Sequence, residues 1–307
     1  MLFYYLLALL AAFCWSIASL ISADISRTLG GIGFNRIRLI IVSIMLITYA
    51  YFDKTLFSIN TEFLLTIIIS GIVGVFLGDT LLFLALQRIG PRRNNILFAL
   101  AAPFTIILNI LILNEKMSLV EFIGCILVFL GVITAIAYGT KKNIQHRWER
   151  IEGSIKIGII FGILAALGQA VGIIMMKPIL NAGADPIASA AIRTTISAIL
   201  LSFTYFSKHR MIIDKSKYSL NIIYKTIVSG FLGMALGMSL LLIALQKGDA
   251  GIVATLSSTS PIMILFLIWI ITKKILNKVL ASGIAEFPSK EIKIWADTYP
   301  TVQDELK

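Results

Sequence analysis

The 307-residue chain is 58% hydrophobic and 14% charged, against roughly 45–50% and about 25% in a soluble domain. Water could not solvate so apolar a surface, which excludes an ordinary soluble domain and makes bilayer-spanning runs of about 20 residues the useful count. The net charge of +11 would suit nucleic acid only as a basic face on a soluble fold; here Lys and Arg fill short gaps between apolar runs, where they orient helices and meet the lipid bilayer, so no nucleic-acid partner is expected.

Nine apolar runs read as membrane helices, at about residues 2–22, 34–52, 63–86, 96–113, 118–138, 155–175, 187–206, 222–245 and 252–271. The first lacks the basic leader of a signal peptide and reads as a retained span. It carries Trp15, a candidate for lining an internal cavity or for ordinary lipid and helix contact. The second run holds Arg38 about a turn inside its start. In the third, Gly74 and Gly78 have the small-xxx-small spacing that lets helices approach closely, and Asp79 is the one acid deep in an apolar run. A carboxylate at that depth must pair, protonate or face a wet cavity. It is a candidate for proton or cation coupling, or a partner for Arg38 or another interior donor. The polar gap Arg92-Arg93-Asn94-Asn95 reads as a loop. Pro103 in the fourth run and Pro261 in the ninth break backbone hydrogen bonding and are hinge candidates.

A charged stretch at 140–153 reads as a linker. Beyond it, Gln169 in the sixth run is a cavity candidate. Arg193 in the seventh, beside the small residues Ala188 to Ala191, either meets an anionic group of a solute or snorkels; for Arg38 snorkelling is expected. Gly233 and Gly237 in the eighth repeat the small-residue packing spacing. In the ninth, Ser257, Ser258 and Thr259 offer hydroxyls to a solute or simply permit close packing. Residues 275–307 hold no run long enough to cross a bilayer and read as a polar tail, either natural or the product of a frameshift or truncation.

The runs repeat. GIVGVFLGDTLLFLALQ (Gly71 to Gln87) aligns with GFLGMALGMSLLLIALQ (Gly230 to Gln246), and with one deletion Pro103 falls on Pro261. Upstream, Leu10-Ala11-Ala12 matches Leu164-Ala165-Ala166, Trp15 falls on Gln169, and Ile37-Arg38 matches Ile192-Arg193. In this register Asp79 falls on Met238. The unit is therefore about five spans long, with 1–139 as a first repeat and 154–274 as a second, four-span one.

Placing the loops on alternate sides puts Arg27, Arg36, Arg38, Arg88, Arg92, Arg93 and the basic residues of 141–156, 208–225 and 273–278 together. The other side receives Lys54, Lys116, Lys177 and Lys247. The positive-inside rule makes the first side cytoplasmic and the N-terminus external. The alternation reverses between the copies, as it must when an odd number of spans is duplicated. Inverted repeats of this kind build midplane sites exposed alternately to each side.

In the Gly-x-x-Gly-x-x-x-Gly…Ala-Leu-Gln block, and in Pro103 followed by Asn114-Glu115-Lys116, the chain resembles the EamA-like family of the drug/metabolite transporter superfamily. The resemblance spans about residues 1–274. It implies an all-α integral membrane protein of two inverted five-helix repeats, with Ala85-Leu86 and Ala244-Leu245 ending the third helices, and small residues before Pro103 and Pro261 in the fourth. Glu115 opens the loop before the fifth, whose Gly124 and Gly131 fit the family pattern. The chain departs from it in Lys273, which stands opposite Glu115, and in the apparent loss of the tenth helix.

The resemblance further implies movement of a small metabolite or drug-like solute without ATP, with a proton or cation as the coupling ion where coupling occurs. No phosphate-cradling loop, His-Glu-x-x-His or Cys-x-x-Cys motif is present, so no enzyme activity, metal or cofactor is expected. Cys14 and Cys125 lie in separate runs as small hydrophobes. The expectation is a secondary transporter working by alternating access. The alternative is a truncated, non-transporting membrane protein or a partner subunit of an oligomer such as a homodimer.

Overall fold

A computed structural model describes residues 1–113, 119–138, 153–206 and 219–272. Most of the 140–153 linker, the 275–307 tail, Glu115 and Lys273 lie outside the described residues. Every apolar run is helical where described, and no strand occurs among the described residues.

The first helix, α1 (Leu2–Leu29), ends at Gly30, whose φ of 82° with ψ of 150° is open to glycine alone, and α2 (Gly31–Phe52) begins at once. Asn60 caps α3 (Thr61–Phe98), its side chain accepting from the Glu62 amide at 3.1 Å. Within α3, residues Gly71–Leu77 widen into a π-helical turn. A second break follows at Gly90 (φ 80°, ψ 167°), after which Pro91 restarts the helix where no backbone N–H is needed. A turn at Ala99 and Leu100 leads into α4 (Ala101–Leu113), and α5 (Leu119–Tyr138) packs on α4 and on the end of α3.

The remaining elements follow the same plan. They are α6 (Ile155–Asn181), α7 (Pro186–Phe203), α8 (Leu220–Lys247), α9 (Ala250–Ser257) and α10 (Ser260–Thr272). Asp185 caps α7, its carboxylate accepting from the amides of Ile187 and Ala188 with Pro186 in the first turn. Ser219 and Asp249 cap α8 and α9. Helix α8 also carries a π-helical stretch, Phe231–Leu236.

Two expectations need correction. The polar gap Arg92 to Asn95 is not a solvent loop: these residues are helical, and Arg93, Asn94 and Asn95 are buried. Gly90 turns the chain back into the bundle, so the polar side chains that follow face protein, not water. The fourth run of each half is also not one kinked helix. It is two short helices joined by a turn, at 99–100 and at 258–259, with Pro103 and Pro261 in the first turn of the second piece. A proline there forfeits no helical bond, since those N–H groups have no partner within the helix.

Seven described helices are long and apolar enough to cross a membrane, with shorter apolar stretches at Ala101–Leu113 and Phe122–Thr134. Large apolar side chains such as Phe3, Ile44, Leu65, Leu127, Ile160 and Phe231 are exposed. In water such a surface would aggregate; around a helical bundle it is the face that meets lipid. The protein is an all-α, multi-pass membrane protein.

Packing is densest between α3 and α6, between α2 and α7, and between α1 and α8. Small residues make this possible: Ala8, Ala11 and Ala12 on α1 and Ala165, Ala166 and Ala170 on α6 are fully buried. One pair of hydrogen bonds across these seams matches between the halves. Ser70 on α3 donates to the Gly172 carbonyl on α6 at 3.3 Å, and Ser229 on α8 donates to the Ala18 carbonyl on α1 at 3.4 Å.

Candidate functional site

Where α1, α2, α3, α6, α8 and α10 meet, the bundle encloses a cavity of about 70 Å³. Binding sites for drug-sized ligands run to about 300–1,000 Å³, so in this conformation there is room for a few waters or a very small solute. Its wall is mixed. Trp15, Phe83 and Phe98 supply aromatic surface, while Ser19, Ser22, Asn94, Asn95 and Gln169 supply polar groups.

The charged part of the wall is an ion pair. Arg38 Nη2 donates to Asp79 Oδ2, and the pair is buried. Arg38 also donates from Nε and Nη2 to Asn35 Oδ1 at 3.3 and 2.9 Å, and its guanidinium lies 4.6 Å from the centre of the Phe83 ring. The snorkelling expected of Arg38 is therefore wrong. A side chain 4% exposed, held by a carboxylate, an amide oxygen and an aromatic face, has no reason to reach for the interface. The pairing with Arg38 that one of the two sequence readings of Asp79 expected is present, and it is compatible with the other, ion coupling.

Arg193 is placed differently. It is 2% exposed, its Nη1 lies 3.7 Å from the sulfur of Met238, and its Nε has no hydrogen-bond partner. Its Nη2 sits between two helices: a methyl group added to Gly74 or to Gly172 would lie 3.0 Å from it. Arg193 is thus behind the cavity wall, and Met238 touches both, contacting Arg193 and lining the cavity.

Trp15 lines the cavity, donates from Nε1 to the Gly233 carbonyl at 2.7 Å and meets the Phe98 ring edge-on. Gln169 lines it from the opposite side and is 4% exposed. Gly237 lies under the Trp15 ring, where an added methyl would come within 2.7 Å of Nε1. Gly78 faces Gly168 across the α3–α6 seam, and Gly233 faces Ala18 across the α1–α8 seam. Ser257 and Thr259 donate to the carbonyls of Ala254 and Leu256, and with Ser258 they make the turn between α9 and α10; Ser260, not these three, lines the cavity.

Several lining residues escaped the sequence reading. Asn94 and Asn95 were hidden by the apparent loop; Asn95 now donates to Ser19 Oγ at 2.7 Å, and Asn94 Oδ1 is buried without a partner. Ser22 and Ser229 share a hydrogen bond of 2.5 Å across α1 and α8. A signal for the serines did exist. Ser16, Ser19, Ser22 and Ser26 recur every three or four residues, a polar stripe on an otherwise apolar helix.

A model of the EamA-like transporter family matches residues 2–137 and 156–285. An uncharacterized transporter of Archaeoglobus fulgidus is 25% identical over 285 residues, which cover 91% of this chain and 93% of that one. A solved crystal structure, 14% identical, covers 92% of both chains with a TM-score of 0.69, a likeness of fold.

Proposed function

The chain belongs to the EamA-like transporter family, and from that premise we propose that it is a secondary transporter that moves a small metabolite or drug-like solute by alternating access between two inverted repeats. Its family is one of membrane transporters, not enzymes.

The observation that carries this reading is a one-sided cavity between reciprocally packed halves. Span one of each half lies against span three of the other, and the Ser70–Gly172 and Ser229–Ala18 bonds occupy the same positions in the internal register. On α1, and on α3 before Gly90, the cavity is lined by Trp15 and Asp79, whose counterparts Gln169 and Met238 also line it, and by Ala18, Ser19, Ser22, Leu82, Phe83 and Leu86. The counterparts of these last six, Gly172, Ile173, Met176, Leu241, Leu242 and Leu245, do not line it. One side is therefore hollow where the equivalent side is sealed. Two such arrangements, related by exchanging the roles of the halves, are what alternating access requires. The hollow side lies toward the ends of α1 and α3 that carry Arg27 and Arg88, the side that loop charge makes cytoplasmic.

In this reading Trp15, Gln169 and the Arg38–Asp79 pair contact the solute or order water around it. The turns that break the fourth spans, at 99–100 and 258–259 just before Pro103 and Pro261, serve as the hinges. The test is flux. Purified protein in proteoliposomes should move at least one member of a broad panel of metabolites down an imposed gradient without ATP. Absence of flux across the panel, with protein shown to be folded, would favour the non-transporting alternative.

A further inference from the structure

The two arginines make the same contact with different results. In the internal register Arg38 corresponds to Arg193 and Asp79 to Met238. Arg38 reaches α3 and finds the carboxylate of Asp79. Arg193 reaches the equivalent point on α8 and finds the thioether of Met238 at 3.7 Å, with its Nε left without a partner. The geometry of a buried arginine–carboxylate pair is thus built twice, and in the second half the carboxylate is missing.

The imbalance matters because of depth. Two guanidinium groups, 4% and 2% exposed, share one deep carboxylate, which leaves one positive charge in excess beside the cavity. Burying an unpaired cation costs several kcal/mol and is tolerated where something neutralises it. Asp79 bonds directly to Arg38 and acts on Arg193 only through space. Met238 is a long, unbranched side chain with several staggered rotamers of similar energy, and it lines the cavity. A rotamer change at Met238 is the local motion that would open Arg193 to the cavity.

We propose that Arg193 is the binding site for the anionic group of the solute, which displaces the Met238 thioether and supplies the missing second carboxylate, so that the protein takes small monoanions. The chemistry is that of a compact oxyanion, carboxylate or phosphate, accepted by a planar guanidinium whose donors are otherwise unused. The aromatic faces of Trp15 and Phe98 then receive the rest of the solute. As cargo, such an anion rests on the transport reading above; as a ligand of Arg193 it does not.

The test uses full-length protein purified in detergent, with thermal unfolding read at constant ionic strength. L-lactate is the carboxylate probe, inorganic phosphate the phosphate probe and lactamide the neutral control. One of the two anions should raise the melting temperature in a saturable way, and lactamide should not; the anion that responds identifies the oxyanion. Arg193→Gln should weaken that response at least about tenfold, as expected for loss of a buried charge-assisted partner. Met238→Asp is the decisive variant, since it installs the missing carboxylate. It should melt no lower than wild type and lose the anion response, while Met238→Leu keeps it.

A Met238→Asp protein that melts lower, or that still responds to the anion, overturns the proposal. So does an equal response to lactamide, or none to either anion. Flux measurements separate the two claims. Binding without flux would count against transport alone, and flux of neutral solutes without an anion response would count against the anion site alone.

Discussion

Arg38 and Arg193 show how little a residue's type settles inside a bundle. Both are arginines about two turns into a helix, and snorkelling would leave both with their head groups in water. Instead both are buried, because Arg38 lies against Gly230 and Gly233 of α8 and Arg193 against Gly74 of α3 and Gly172 of α6. For Asp79 the consequence is a structural role that can be separated from ion coupling. Replacing one member of a buried pair strands the other, whereas replacing both with hydrocarbon is often nearly neutral. We expect Asp79→Asn to lower stability by about 1–3 kcal/mol, measured as a shift of the unfolding midpoint in detergent. Asp79→Leu combined with Arg38→Met should recover most of that loss. Transport by Asp79→Asn should keep the pH dependence of the wild type; a flattened profile would instead assign Asp79 to proton coupling.

At the scale of elements, the breaks matter more than the helices. Long apolar runs announce helices whatever surrounds them, but the turn at Gly90 decides where the polar residues after it go. The φ of 80° with ψ of 167° at Gly90 lies in a region that costs a side-chain-bearing residue about 1–3 kcal/mol. Gly90→Ala should therefore be destabilising by that amount. Gly124→Ala, where an added methyl meets nothing within 4 Å, should be neutral or stabilising by up to about 1 kcal/mol through helix propensity. Equilibrium unfolding of the two variants side by side checks both. The same turn explains why Asn94 and Asn95 were read as loop. A run of Arg and Asn between apolar segments resembles a solvated connection, and only the return of the chain into the bundle buries both amides and gives Asn95 its partner Ser19.

For the whole molecule, the orientation read from loop charge makes a prediction independent of transport. In a cysteine-free background, cysteines at Lys54 and Ala182 should react with a membrane-impermeant thiol reagent applied to intact cells. A cysteine at Thr28 should react only after permeabilisation. The reverse pattern would overturn the external N-terminus and, with it, the assignment of the cavity to the cytoplasmic side. All three positions are exposed, so burial does not confuse the result.

What the sequence determined alone was the class. Hydrophobic run length responds to the bilayer one segment at a time, and duplicated motifs such as Gly71 to Gln87 and Gly230 to Gln246 are visible without knowing what they touch. The glycines at 74 and 237 were legible as packing positions, because small-residue spacing is a local property. The site was legible only in part. Asp79, Trp15 and Gln169 stood out as unusual residues in apolar runs, but the partner of each is far along the chain: Trp15 bonds the carbonyl of Gly233. Which arginine found a carboxylate and which found a sulfur were decided by packing between distant parts of the chain. Those are pairwise contacts among distant segments, and no local pattern encodes them.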